Sequence, residues 1–331
     1  MDLIIDITLL TFLGITALAI NRIDKLFCVI MLSGIYSLLC ASLFVTMDAV
    51  DVAFTEAAVG TGIATVLLLS TIGATDTQQR SAPHRPILAL LVVCTTGAIL
   101  IYGTMDMPAY GDPDAPVHQH VAPRYLEQSQ EEVGPPNIVT SILGSYRGID
   151  TLGETVVIFT AGLSVVGLIG FRGMQKYGDR KRAAGITKED MDEHLVLRIV
   201  IKMFIPLILL FALYVQFHGD YSPGGGFQAG VIFASAFIFY TLMYGLDKAM
   251  LVIPPRILGH IGALGVLLYG GVGVATMLLG GNFLEYDVLM HDPLHGQHLG
   301  IFLIELGIGI TVFSIMVLIF FAFSSRKGLR H

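Results

Sequence analysis

The sequence predicts an all-α integral membrane protein with about nine transmembrane helices, its N-terminus outside and its C-terminus inside. Of its 331 residues, 54% are apolar and only 14% are charged, whereas soluble domains carry about 25% charged residues. Runs of about 20 apolar residues are long enough to cross the roughly 30 Å hydrocarbon core of a bilayer. Nine such runs occur, near 3–20, 26–46, 49–73, 86–104, 151–171, 197–217, 226–246, 257–280 and 299–323.

Lysine and arginine positions predict the orientation, because cytoplasmic connections carry an excess of these residues. With the N-terminus outside, the outer connections hold only Arg124 and Arg147. The inner connections then hold Arg22, Lys25, Arg80, Arg85, Arg172, Lys176, Arg180, Lys181, Arg182, Lys188, Lys248, Arg256, Arg326, Lys327 and Arg330. The first segment has no basic region before its apolar run, so we expect it to remain a span rather than a cleaved signal peptide.

The third span carries an acidic candidate beside glycines. A charge near the bilayer centre costs about 2.5 to 3.5 kcal/mol, so such residues are functional hypotheses by default. Glu56 shares a helical face with Gly60, and Gly60 and Gly62 lie mid-span, where a helix can form a π-bulge. Glu56 is therefore a candidate proton-path carboxylate; the alternative is a structural acid that pairs with a neighbouring protein chain of a complex. Asp51, nearer the outer interface, is expected to be solvated.

The start of the fifth span offers two acids that point the same way, since Asp150 and Glu154 are four residues apart. Arg147 can neutralise Asp150, which leaves Glu154 as the deeper and less compensated acid. Burial favours the neutral form of a carboxyl group, and this suits a group that takes up and releases protons. The alternative for Glu154 is a helix-start acid satisfied by backbone N–H groups.

Two later spans each carry one further candidate for the proton or ion pathway. Lys202 follows Arg198 by one turn; it could tune a carboxylate, carry protons, or simply extend its amine to the membrane surface. Glu305 lies beside Gly307 and Gly309, where another helix can approach closely. A functional carboxylate and an interhelical hydrogen bond are both open for Glu305.

A glycine-rich loop precedes the seventh span, in the stretch "FHGDYSPGGGFQAG". It lacks the GxxxxGK[ST] pattern whose lysine reaches nucleotide phosphates, and its predicted outer location removes it from nucleotides. Proline followed by glycines is typical of a tight turn into a helix. The loop is predicted to be structural, and its residues are Ser222, Pro223, Gly224, Gly225 and Gly226.

The sequence predicts no metal site, cofactor or nucleic-acid partner. The stretch "HDPLHGQHLG" holds metal-binding residue types, but we expect Pro293 and Gly296 to break the helical register that a histidine cluster would need. Cys28, Cys40 and Cys94 all fall inside spans without CxxC spacing, and they are interpreted as small core residues.

Several longer stretches resemble a known family. The stretch "AFTEAAVGTGIATVLLLSTIG" resembles the MbhD-type module, and "YGDPDAPVHQHVAPRYLEQSQEEVGPPNIVTSILGSYRGIDTLGE" resembles the MbhE-type module. Both modules usually end the large A-type chain of Mrp-type cation/proton antiporters. "FHGDYSPGGGFQAGVIFASAF" is similar to the signature of the MnhB domain, which forms the B-type chain. The resemblance implies modules at 1–76 (MbhD-like), 84–172 (MbhE-like) and 197–323 (MnhB), with a cytoplasmic linker at 173–196.

The resemblance also implies a function and partners. It points to a subunit of an Mrp-type Na⁺/H⁺ antiporter in the inner (plasma) membrane, surrounded by lipid and by partner chains of the A, C, D, E, F and G types. The family's intramembrane glutamates correspond to Glu56 and Glu154. The modules that normally end the A-type chain here precede an MnhB domain, which implies a shorter A-type partner. The membrane arm of a related redox enzyme and a non-conducting scaffold remain the alternatives.

Overall fold

The computed structural model describes residues 2–72, 75, 77–79, 86–109, 111–169 and 195–327. Within them, nine helices are long and apolar enough to cross a membrane, which confirms the predicted fold class. They are α1 (Asp2–Ile20), α2 (Leu26–Thr46), α3 (Val50–Ile72), α4 (Pro86–Thr104), α5 (Gly148–Ile169), α6 (Leu195–Phe217), α7 (Gly226–Tyr244), α8 (Pro255–Leu278) and α9 (Pro293–Lys327). Nearly all of the linker predicted at 173–196 lies outside the described residues.

Helix α9 is the centre of the bundle and packs against α3, α5, α7 and α8. In its most apolar part 67% of the residues are buried, whereas the corresponding part of α4 buries none. Helices α1 and α2 pack together, and α2 also contacts α3. The chain therefore has a compact core around α7, α8 and α9, with α4 left almost uncovered by the described residues.

Glycines allow α7 and α8 to approach α9 closely. A methyl group on Gly230 of α7 would lie 2.7 Å from the carbonyl oxygen of Gly309 in α9, and one on Gly307 of α9 would lie 2.8 Å from the carbonyl oxygen of Gly265 in α8. Lipid tails are as apolar as the helix surfaces, so packing at such small-residue contacts stabilises helix pairs in membranes. Alanine at these positions would separate the central helices.

Two segments adopt π-helical geometry. The first, Ala57–Ala64, interrupts α3 after Glu56 and contains both glycines at which the sequence predicted a π-bulge. The second, Ile142–Tyr146, precedes α5 and was not predicted. It follows a short helix, Ile138–Ser141, whose first turn is capped by Asn137. Helix α5 therefore begins at Gly148, three residues earlier than its predicted span.

The prediction that Pro293 and Gly296 break the helix was wrong. Helix α9 begins at Pro293, where proline is tolerated because the first N–H groups of a helix have no internal partner anyway. Gly296 lies inside the helix, where a methyl group would come 2.5 Å from the carbonyl oxygen of Tyr286. Its role is close packing, and α9 extends six residues beyond the N-terminal end of its predicted span.

Candidate functional site

A cavity of about 290 Å³ lies where α3, α5, α7 and α9 meet. It brings together three carboxylates, Asp51 of α3, Glu154 of α5 and Glu305 of α9. These acids come from three separate parts of the sequence. Hydroxyl and amide groups complete the polar part of the lining, namely Thr55, Thr140, Thr151, Thr155 and Gln228. We call this space the three-acid cavity.

Glu305 faces the glycine-rich loop. A methyl group on Gly225 would lie 3.1 Å from its Oε1 atom, and a methyl group on Gly219 would lie 3.1 Å from its Oε2 atom. A methyl group on Gly226 would overlap the carbonyl of Glu305. The glycines therefore make room for the Glu305 carboxylate and for close contact between α7 and α9. In particular, Gly225 has φ +122° and ψ −176°, a conformation available almost only to glycine.

Glu305 makes no hydrogen bond or ion pair with the part of the chain that the structure describes. The interhelical hydrogen bond that the sequence left open as an alternative for Glu305 is therefore not formed among the described residues. The side chain is partly buried, and its carboxylate lines the three-acid cavity. A buried acid without a partner is costly in its charged form, so this group is suited to exchange protons with its surroundings.

Asp51 is tied to the same loop rather than being freely solvated. It is partly buried, and its Oδ1 atom accepts a hydrogen bond of 3.2 Å from the backbone N–H of Gly224. One turn further along α3, Thr55 accepts a 2.9 Å hydrogen bond from the side chain of Gln228. Two hydrogen bonds therefore join α3 to the start of α7, and the expectation of a solvated Asp51 is corrected.

Glu154 lies on the wall of the cavity with its side chain accessible at the surface of this chain. It lies in the second turn of α5 and forms no hydrogen bond with the described residues. Backbone N–H groups at the start of α5 therefore do not bind this acid, which was the alternative. Two tyrosines hold the start of α5 and the π-helical segment that precedes it. Tyr269 donates a 2.7 Å hydrogen bond to the carbonyl of Gly148, and Tyr286 donates one of 3.0 Å to the carbonyl of Gly144.

Glu56 belongs to a different contact, next to the cavity but not lining it. The hydroxyl of Ser37 in α2 donates a hydrogen bond to its Oε1 atom. A methyl group on Gly60 would lie 2.6 Å from that same oxygen. Gly60, which lies inside the π-helical segment, therefore leaves space for the Glu56 carboxylate and its partner Ser37.

Two of the sequence candidates lie away from the cavity. Asp150 is exposed and accepts a 2.7 Å hydrogen bond from Arg147, which is the pairing that the sequence predicted. Lys202 is exposed on α6 and makes no hydrogen bond or ion pair with the described residues. Neither side chain lines the cavity.

Sequence reasoning did not find the contacts that hold the glycine-rich loop in place. The side chain of Thr140 donates a 2.7 Å hydrogen bond to the carbonyl of Gly219, and Asn137 donates to the carbonyls of Gly219 and Ser222 at 3.2 Å. These contacts are separated by about 80 residues in sequence, so no local pattern predicts them. The described residues contain no group of three or more histidine, cysteine or acidic side chains that could hold a metal ion.

Three family models match successive parts of the chain. Residues 11–77 match the model for the D-type chain of MBH, and residues 88–177 match the model for the E-type chain of MBH. Residues 196–318 match a domain related to the MnhB subunit of Na⁺/H⁺ antiporters. The three carboxylates of the cavity therefore fall one in each matched region.

Curated relatives match the last part of the chain. A protein named putative antiporter subunit mnhB2, from Staphylococcus haemolyticus (strain JCSC1435), is 34% identical over 140 residues, which cover 41% of this chain and 99% of the relative. The mnhB2 protein of Staphylococcus aureus (strain Newman) is 36% identical over 142 residues, with the same shares covered.

Two solved structures have a similar fold. The match to a chain of the Mrp complex from Dietzia sp. DQ12-45-1b has a TM-score of 0.75 at 22% identity, and it covers 96% of this chain but 34% of that one. This chain thus spans about a third of the Dietzia chain. The match to the membrane-bound sulfane sulfur reductase, an archaeal respiratory membrane complex, has a TM-score of 0.51 at 29% identity and covers 71% of this chain and 96% of that one.

Proposed function

The chain belongs to the family of MnhB-type antiporter subunits, and from that premise we propose that it couples inward proton movement to outward Na⁺ movement within an Mrp-type complex. It is a multi-pass membrane subunit of an antiporter-related complex. We further propose that it lies in the inner (plasma) membrane and assembles with partner chains of the A, C, D, E, F and G types. Its modules are proposed to occupy 1–76, 84–172 and 197–323.

The single observation that carries this proposal is the three-acid cavity. Asp51, Glu154 and Glu305 face one space between four helices, and acids at membrane depth commonly mark ion pathways and proton relays. The described residues offer no compact metal site. We assign proton exchange to Glu154 and Glu305, with Glu56 as a further protonatable group on the neighbouring π-helix.

The exposed position of Glu154 suggests that this residue lies at a contact between subunits. Its carboxylate is accessible at the surface of this chain although it lies in a membrane-spanning helix. An acid facing hydrocarbon is costly, so a neighbouring protein chain or a water-filled path is proposed to cover it. A lateral proton path between subunits would then run through Glu154. We propose that this path includes neither Lys202, which is exposed on α6, nor Asp150, which is paired with Arg147.

A second candidate function is favoured by the likeness to the sulfane sulfur reductase complex. In that case the chain would be part of the membrane arm of a redox enzyme, with the redox centres held by other subunits. The same carboxylates would move ions, but electron transfer rather than an ion gradient would supply the energy.

Purification of the intact complex separates the two candidates. A tag on the C-terminus of this chain would allow the co-purifying chains to be identified by mass spectrometry, and the same sample would be assayed for nickel and iron. Small membrane subunits without either metal are expected. Stoichiometric iron together with a soluble redox arm would contradict the antiporter proposal and support the second candidate.

A further inference from the structure

A histidine and an aspartate, both partly exposed, lie near Glu305. His298 lies in α9, seven residues before Glu305. At 3.6 residues per turn this is about two turns, so the two side chains share a helical face. The Nδ1 atom of His298 lies 3.1 Å from Oδ2 of Asp220 in the loop before α7. Asp220 follows Gly219, where an added methyl group would lie 3.1 Å from Oε2 of Glu305.

All three side chains of this series are partly buried. The side chain of His298 is 36% exposed and that of Asp220 is 25% exposed, and Glu305 is also partly buried, with its carboxylate lining the three-acid cavity. Beyond Glu305 lies the three-acid cavity with Asp51 and Glu154. The series therefore runs from two partly exposed groups to a cavity-lining acid that has no hydrogen-bond or ion-pair partner among the described residues.

We propose that His298 and Asp220 form the access path by which protons pass between the aqueous phase and Glu305. This inference rests on the proposed function, since it supplies the cavity with its protons. Imidazole changes its charge within the physiological pH range, and its two nitrogens can accept a proton on one side and release one on the other. The proton passes from water to His298, from His298 to Asp220, and through water to Glu305. No other bond is broken.

The imidazole ring of His298 is held between two neighbouring segments of the chain. Its Nε2 atom faces the backbone of Gly134, where a methyl group would lie 2.7 Å away. Gly134 has φ +104°, a value that favours glycine. Asp220 is the charged group that contacts the ring among the described residues. The neighbouring Gln297 is engaged elsewhere, since it donates a 2.7 Å hydrogen bond to Asp287.

The same helix provides a matched control. His295 lies one turn before His298, and its Nδ1 atom is 2.8 Å from Oδ2 of Asp292. This second pair has the same chemistry, but its side chains are 73% and 52% exposed and neither lines the cavity. It can exchange protons with water without leading to a buried acid.

The test uses the whole complex in sealed vesicles, with sodium-dependent proton movement followed by a pH-sensitive dye. His298→Ala is expected to lower the rate at about pH 7 by at least about tenfold, as expected for loss of a proton-transferring side chain. Added imidazole, a diffusible proton carrier, is expected to restore much of the rate. His295→Ala should keep the wild-type rate, and complex assembly should be unchanged in both variants.

Each other outcome has a definite meaning. A wild-type rate in His298→Ala, or a loss that imidazole does not restore, would overturn the access path. If His298→Ala does not assemble, Asp220→Asn takes its place, and a wild-type rate in that variant would overturn the path. Wild-type vesicles that move no protons in response to sodium would contradict the proposed function itself, which separates the two failures.

Discussion

The carboxylate of Glu305 lies against the backbone of Gly225, close enough that a methyl group on Gly225 would be 3.1 Å from Oε1. This contact explains why a glycine-rich loop directly precedes α7. The loop cradles an acid instead of a phosphate. Its glycines provide a backbone conformation that other residues rarely adopt and leave space for a buried side chain.

Gly225→Ala should therefore reduce ion movement as well as stability. Its backbone conformation costs about 1 to 3 kcal/mol for a non-glycine residue, and the added methyl group would push Glu305 into the cavity. Gly245 is the matched control, because it has φ +84° and ψ 154° but no neighbour within 4 Å of an added methyl group. Both variants should lower the melting temperature of the complex, but only Gly225→Ala should slow antiport. Equal antiport in the two variants would contradict a role for the Glu305 contact.

Glu154→Gln should abolish most sodium-dependent proton movement while the complex still assembles. Glutamine keeps the shape of the side chain but cannot take up and release a proton, and loss of such a group typically lowers a rate by about a hundredfold or more. Asp150→Asn is the control, since Asp150 lies one turn earlier on α5 and is paired with Arg147. Dye-based vesicle assays at equal complex content would measure both variants. Unchanged antiport in Glu154→Gln would exclude this residue from the path.

Glu56→Gln should slow antiport by about a hundredfold if Glu56 transfers protons, because glutamine cannot take up and release a proton. Ser37→Ala should show a smaller effect in the same direction, because it removes the hydrogen bond donated to Glu56. Ser42 of α2 is a suitable control, since its hydroxyl bonds the carbonyl of Leu38 in its own helix at 2.9 Å. Blue native gels would report assembly. Loss of the whole complex in Glu56→Gln would instead support the structural role that the sequence left open.

Tyr269→Phe should destabilise the complex by about 0.5 to 1.5 kcal/mol, because it removes the hydrogen bond that the buried Tyr269 hydroxyl donates to the carbonyl of Gly148. Tyr286→Phe should act similarly through Gly144. The control is Tyr102→Phe, since Tyr102 is 77% exposed on α4. Thermal dissociation of the purified complex would measure the three variants. If Tyr269→Phe and Tyr102→Phe melted alike, the anchoring of α5 would be contradicted.

The connection before α5 should respond to acid. A hydrogen bond from Tyr146, with a further one from Arg124, lowers the pKa of Glu132, while burial and that same bond raise the pKa of Tyr146 to about 12. A depressed carboxyl pKa contributes stability that is present above the ordinary pKa of about 4.3 and is lost as the pH falls through the lower folded value. Tyr146→Phe should therefore be less stable than wild type near neutral pH, and the difference should vanish in acid.

Melting curves between pH 7 and strongly acidic conditions would measure this difference. Tyr125→Phe is a useful comparison, because the Tyr125 ring packs 4.9 Å from that of Tyr146, whereas the bond to Glu132 comes from Tyr146. If the stability difference between Tyr146→Phe and wild type did not depend on pH, the hydrogen bond from Tyr146 to an ionised Glu132 carboxylate would be contradicted.

The sequence predicted the helices well because membrane spans are defined locally. Backbone groups must be satisfied within a span, so length and hydropathy identify each helix without knowledge of its neighbours. The π-helix after Glu56 was also predicted, from the paired glycines Gly60 and Gly62. By contrast, the full length of α9 was missed, because Pro293 and Gly296 were interpreted as helix breakers without knowledge of their packing.

The candidate site was predicted only in part, because it depends on long-range contacts. Glu154 and Glu305 were chosen individually, but nothing in the sequence indicated that they share one cavity with Asp51. The solvation of Asp51 was misjudged because the Gly224 N–H that it binds lies 173 residues away. His298 was considered only as a metal ligand, since its contact with Asp220 is visible only in the fold.

The three-acid cavity also has a consequence for synthesis. Its walls are contributed by residues near 51, 154, 225 and 305, so no N-terminal fragment contains the complete site, and it can close only after α9 has been inserted. Since one polypeptide carries all three acids, they are present in a fixed ratio of one to one to one. Separate subunits would have to achieve that ratio through balanced expression and assembly, whereas here the covalent chain determines it.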